Sequence, residues 1–202
     1  RVWKKESIPV FVEYLENNKP PYAAVLHVKP FGGMTVSMPE KSLRLITDTT
    51  IGPKKIKISP FLNKHYTSYK SIVLRTSGND QTQTRIKDVT ISSIARDLKI
   101  DYQDYRQSVL YVNNEYWGIY NLREKINLEY LKYNHNAIKD SKYTTIDITG
   151  IYQPEYQNTL RFLERQFDPK VAIDSVNTRM DLENYINYII LQIHIINTDS
   201  RG

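Results

Sequence analysis

The chain has 202 residues, of which 40% are apolar and 25% charged, a balance that supports a packed core and excludes a disordered segment. A formal net charge of +6 suits phosphate-bearing ligands or acidic partners, yet the densest basic run, KKIK at 54–57, is too short for a nucleic-acid arm and reads as a strand edge or turn. Cysteine is absent, which excludes disulfides and thiolate metal ligands and leaves the compartment open.

Taken in order, Ile8, Val10, Val12 and Tyr14 alternate as a strand, and Pro9 suits an edge position. A turn over 17–21 and renewed alternation over 22–28 make this opening a predicted hairpin. Pro30 and the pair Gly32-Gly33 break the chain before a short strand over 41–46. Such a glycine pair permits positive φ and close approach of backbone to a ligand, although most pairs of this kind are only turns. A further strand over 71–75 leads into a polar loop. Ile91, Ile94, Ala95 and Leu98 then give an amphipathic helix with Asp88 as its candidate N-cap.

The clearest hairpin spans 108–122, with Asn113-Asn114 where a type I′ turn needs positive φ. Asn127 reads as the cap of a helix reaching about 138, and Pro154 opens another with Tyr156, Leu160, Leu163 and Phe167 on one face. A short strand is expected within 141–153. In the last stretch Tyr185, Ile186, Ile189, Ile190 and Ile193 recur at helical spacing, and Leu191, Ile195 and Ile196 widen the stripe toward a helix through a core. Strand is the competing assignment, since isoleucine favours it. Asn197, Thr198 and Asp199 follow, either as a polar loop or as a carboxylate delivered by a buried helix. Strands, a helix, a hairpin and then helices make an α+β chain rather than a βαβ sheet.

Four histidines are scattered without metal-ligand spacing. No glycine pattern of a nucleophile elbow supports a Ser-His-Asp triad. The sixteen tyrosines suit stacking on sugars or bases as well as packing, and their places on element faces favour packing. No segment has the basic, apolar and small-residue order of a signal peptide, and no apolar run is long enough to span a bilayer. The chain begins at Arg1 and stops on a loop, so a fragment of a longer protein is expected.

Four blocks in order carry a more specific signal. They are Gly32, Gly33, Pro39, Lys41 and Ser42; Leu74, Arg75, Gly78, Asn79 and Asp80; Asn113, Tyr116, Gly118 and Tyr120 with Glu124 following; and Asn197 with Asp199. Over 32–202 the chain resembles the CotH family of spore-coat-type atypical protein kinases. The resemblance implies an antiparallel sheet lobe with one helix over 1–123, then part of a helical lobe over 124–202 cut at the catalytic loop. It also implies ATP with Mg²⁺ or Mn²⁺ as cofactors and a protein hydroxyl as phosphoacceptor; no basic stripe with interleaved aromatics supports a nucleic-acid partner.

On that resemblance, Lys41 and Arg75 would meet nucleotide phosphates beside the Gly32-Gly33 turn, and Glu124 would border the adenine. Asp199 would be the catalytic-loop acid or a metal ligand. Each has a plainer reading: Lys41 as the solvent face of a strand, Arg75 paired with Asp80, and Glu124 paired locally with Arg123 or Lys125. The chain departs from the family pattern at Ser200, where tryptophan is common, and at Asn114, where glycine is common. The family's loop asparagine and metal-binding aspartate would lie past Gly202, so weak nucleotide binding and an inactive fragment are expected. The alternative class is a non-catalytic scaffold in a cell-envelope protein, binding glycan or protein through its tyrosines.

Overall fold

The alternation read above becomes an antiparallel, curled sheet. The computed structural model describes residues 6–135, 154–165 and 169–197. The predicted strand within 141–153, Phe167, Asp199 and Ser200 lie outside them.

The chain divides into two compact units, one of 1–92 with 103–139, the other of 93–102 with 140–202. The first holds β1 (Ile8–Tyr14), β2 (Tyr22–Pro30), β3 (Leu43–Ile46), β6 (Ser71–Arg75), β7 (Tyr105–Val112) and β8 (Glu115–Glu124) in the order β1-β2-β3-β6-β8-β7. A separate pair, β4 (Ile56–Lys57) and β5 (Ser68–Tyr69), lies in the excursion between β3 and β6. β1 is an edge, which explains how Pro9 is tolerated without a backbone donor. The strand expected over 41–46 begins only at Leu43.

Register places Leu26, Leu45, Ile72, Leu74, Tyr120 and Leu122 on one face. The 47–70 excursion closes that face with Ile56, Ile58, Phe61, Tyr66 and Tyr69. Each such aliphatic side chain contributes about 1.5–3 kcal/mol when fully buried. Tyr66 stacks on Tyr133 with centroids 4.4 Å apart, tying α2 (Leu128–Asn134) to this core. Beyond the strand edge or turn read at 54–57, where β4 lies, sequence reading left the excursion blank, because its apolar residues follow neither a period of two nor of 3.6.

Local signals were read well at several ends. Asn113 and Asn114 both have positive φ, 51° and 65°, as a type I′ turn requires. The Asn127 side chain accepts from the amides of Glu129 and Tyr130 at 2.9 and 3.0 Å. The cap of α1 (Lys87–Asp97) was misplaced: Asp88 lies within the first turn, and Asp80 accepts from the Lys87 amide at 2.9 Å.

In the second unit lie α3 (Pro154–Leu163), α4 (Pro169–Asn177), which no sequence signal announced, and α5 (Leu182–His194). Asp181 caps α5 by accepting from the Asn184 amide at 2.9 Å. The terminal stretch is therefore a helix and not a strand, but it is no core helix. Leu191 is its buried residue, whereas Ile186 and Ile193 are 48% and 71% exposed. Periodicity specifies a stripe; burial needs elements to cover it, and periodicity carries no information about those.

Candidate functional site

The expected phosphate-side residues gather at one end of the sheet. Pro30 pairs with Leu43, Leu43 with Leu74, and Arg75 with Asn121, so the ends of β2, β3 and β6 lie side by side, next to the interior of β8. Gly32 follows β2 with φ of 123°, and a Cβ there would stand 2.2 Å from Thr35 Oγ1. Only glycine fits this backbone and this closeness. Nothing lies within 4 Å of the Cβ position of Gly33, so that side of the turn is open. Ser42 is buried and joins β3 to β6: its hydroxyl accepts from the Thr76 amide at 3.1 Å and lies 3.2 Å from the Thr76 hydroxyl. Lys41 stands next to it, ahead of β3, with Nζ donating to the Met38 carbonyl at 2.7 Å.

Arg75 ends β6, and its Nη2 is 3.5 Å from the Cβ position of Gly78, which in turn is 3.8 Å from Thr35 Cγ2. The glycine turn, the Arg75 fork and the loop after β6 are thus in contact. Arg75 does not pair with Asp80. Its Nε donates to Asp88 Oδ2 at 2.7 Å, and the same oxygen accepts from Arg123 Nη1. Arg123 is 3% exposed and also donates to the Ser92 hydroxyl and, at 3.0 Å, to the Gln103 carbonyl. Asp80 serves the backbone instead. It accepts from Thr84 N and Oγ1 at 3.1 and 2.8 Å, and amide donors, Lys87 foremost, hold its carboxyl below the usual range.

Glu124 lies elsewhere. It pairs with Ile72, at the other end of β6, three residues along β8 from Asn121 and about 10 Å away. It is 1% exposed, which rules out the surface ion pair with Arg123 or Lys125. Oε2 meets Lys64 Nζ at 3.2 Å and the Asp104 amide at 2.9 Å, while Oε1 accepts from the Tyr66 hydroxyl. Burial pushes its pKa up, against the opposing pull of Lys64. Beside it, Tyr66, Tyr69, Glu129 and Tyr133 line a cavity with room for about one water.

The sequence-predicted residues therefore fall into two places: Gly32, Gly33, Lys41 and Arg75 together, Glu124 apart with Lys64 and Tyr66. Lys64, Tyr66, Asp88 and Arg123 went unread as functional candidates. Their only sequence signal is charge or hydroxyl in ordinary context, and their partners are far along the chain. Among the described residues no group of three or more His, Asp and Glu could hold a metal ion. The cations present suit an anionic ligand; they offer a divalent ion nothing.

A family model described as CotH kinase protein matches residues 28–155. The chain belongs to that family. The match spans more than half of the chain and contains Gly32, Gly33, Lys41, Arg75 and Glu124. Thus the CotH resemblance read from four blocks holds for the first three; Asn197 and Asp199 lie past the matched stretch. No curated protein matches the chain. Among the described residues, no helix of this CotH-family chain is long and apolar enough to cross a membrane.

Proposed function

We propose that this chain is the nucleotide-binding part of a protein kinase that transfers phosphate from ATP to a protein hydroxyl. The observation that carries the reading is the meeting of the Gly32 turn, Lys41 and Arg75 at one sheet end inside the CotH-matched stretch. Phosphoryl transfer is largely positioning and charge neutralisation, so cations held beside a glycine turn are the parts it needs. Arg75 would hold phosphate oxygens through Nη atoms left over from its Nε bond to Asp88. Lys41 would add a second positive charge. Protein kinases pair a strand cation with a helix carboxylate, and Arg75 with Asp88 of α1 makes a pair of that kind. In this reading Asp199 is the acid that takes the hydroxyl proton, and Mg²⁺ or Mn²⁺ would rest on Asp199 and phosphate oxygens.

Thermal melting tests the binding step. ATP with Mn²⁺, in large enough excess for weak binding to register, is expected to raise the midpoint of the chain, and Arg75→Ala to remove that rise. No rise with ATP, with or without Mn²⁺, overturns the reading. For the chemical step, any phosphate transfer to protein should vanish in Asp199→Ala; transfer that persists removes Asp199 from the role.

One observation favours the scaffold alternative. Tyr111 and Tyr116 are 62% and 60% exposed on the β7–β8 hairpin with ring centroids 5.7 Å apart, a surface suited to stacking on sugar or protein. Loss of glycan or protein capture in a Tyr111→Ala/Tyr116→Ala variant, with no ATP binding by the parent chain, would establish it.

A further inference from the structure

Lys29 and Arg44 are direct cross-strand partners in the β2–β3 pair. Residues so opposed share one sheet face with Cβ atoms about 5 Å apart, where like charges destabilise the pairing. Neither forms an ion pair among the described residues, and Arg44 Nη2 donates to the Ser71 hydroxyl at 3.1 Å. Its Nε is buried and lacks an acceptor, a desolvation that nothing offsets. Burial also pushes the Arg44 guanidinium pKa down, so the fold holds this charge against its solvation preference.

Register extends the same face. Arg44 opposes Val73, and Val73 opposes Arg123. Arg75, two positions along β6 from Val73, shares the face and is diagonal to Arg44. Lys29, Arg44, Arg75 and Arg123 therefore lie on one side of the sheet, and Asp88 is the carboxylate that reaches Arg75 and Arg123. His27, two residues before Lys29, is already engaged by Asp48 at 3.4 Å and by the Ser7 hydroxyl at 2.8 Å.

We propose that Lys29 and Arg44, with Arg75 beside them, form an anion site for a chain of phosphoryl groups such as the tail of a nucleoside triphosphate. Phosphate oxygens supply acceptors for the outer nitrogens of the Arg44 fork, and they screen the Lys29–Arg44 repulsion. The like-charge conflict of that pairing is then resolved by the ligand. This deepens the nucleotide reading above and rests on it only for the organic part of the ligand.

Isothermal titration calorimetry of the whole chain tests it, using inorganic tripolyphosphate and ATP separately, metal-free and at low salt. Wild type, Arg44→Gln, Lys29→Gln and the exposed-loop control Lys54→Gln are compared. Both probes are expected to bind wild type and control, and Arg44→Gln to weaken each by about tenfold or more, the loss of one charge-assisted hydrogen bond. Without anion, Arg44→Gln should melt no lower than wild type, because the repulsion is relieved. Should it melt lower, Arg44→Lys replaces it, retaining the charge without the fork and expected to bind between the two.

Tripolyphosphate binding that depends on Arg44, with no binding of ATP, keeps this site and overturns the nucleotide reading. ATP binding undiminished by either variant keeps the nucleotide reading and overturns this site. No binding of either probe by wild type overturns both.

Discussion

At the scale of single residues, the tightest constraint is the Glu124–Lys64 pair, both nearly inaccessible. Removing one partner of a buried pair leaves an uncompensated charge. Lys64→Met is expected to cost about 3 kcal/mol near neutral pH. The pH dependence has a definite sign. The folded pKa of Glu124 is raised, so its stabilising state is complete below the ordinary carboxylate range and is lost as pH rises through the raised value. Without Lys64 the carboxyl is pushed further up, so the variant should regain stability as pH falls from 7 toward 5. Urea denaturation at the two pH values checks this; an equal deficit at both removes Glu124 as the cause. Little of this pairing was legible. Glu124 sits between Arg123 and Lys125 in sequence, and local proximity favoured those partners. Its actual partner is sixty residues earlier in the chain, brought there by a loop whose path no periodicity describes.

At the scale of elements, α1 shows what local chemistry does and does not reveal. Its apolar spacing marked the helix, but the first aspartate ahead of that spacing was Asp88, and the true acceptor is Asp80, folded back across the loop after β6. Asp80→Ala is expected to lower the melting midpoint, as the loss of a helix cap does. Because the Asp80 pKa is depressed, its contribution is present above the ordinary carboxylate range and fades as pH falls through the depressed value. Thermal melts of wild type and variant should therefore converge in acid; a gap that stays constant would assign the loss to something other than this carboxylate. The strands of the β7–β8 hairpin run past the expected 108–122 on both sides and carry a register shift at Leu110/Tyr111, yet its turn was readable, since its chemistry is contained in two adjacent residues. The glycine turn was readable for the same reason: Gly32 occupies a φ that other residues avoid.

For the molecule as a whole, charge and exposed apolar surface act against each other. Ile186, Ile190 and Ile193 fall on one stripe of α5 and are exposed, while a net charge of +6 and a pI near 9.3 keep copies apart at neutral pH. Raising the pH toward 9.3, or adding salt to screen the charge, should drive self-association visible by light scattering. Ile186→Lys with Ile190→Lys should suppress it; association unchanged in that variant would place the contact elsewhere. The α+β class was legible from element order alone.

The shared carboxylate of Asp88 also sets an order in which sequences can change. Loss of Asp88 first would leave Arg123 buried without a counter-charge, a deficit of about 3–5 kcal/mol against a total stability on the order of 5–15 kcal/mol. Loss of Arg123 first, to an apolar residue of similar volume, leaves Asp88 paired with Arg75 and costs far less. Descent with modification can therefore pass through position 123 before position 88 but not readily in reverse. Related chains are expected to include some with Asp88 and no arginine at 123, and few with the opposite combination.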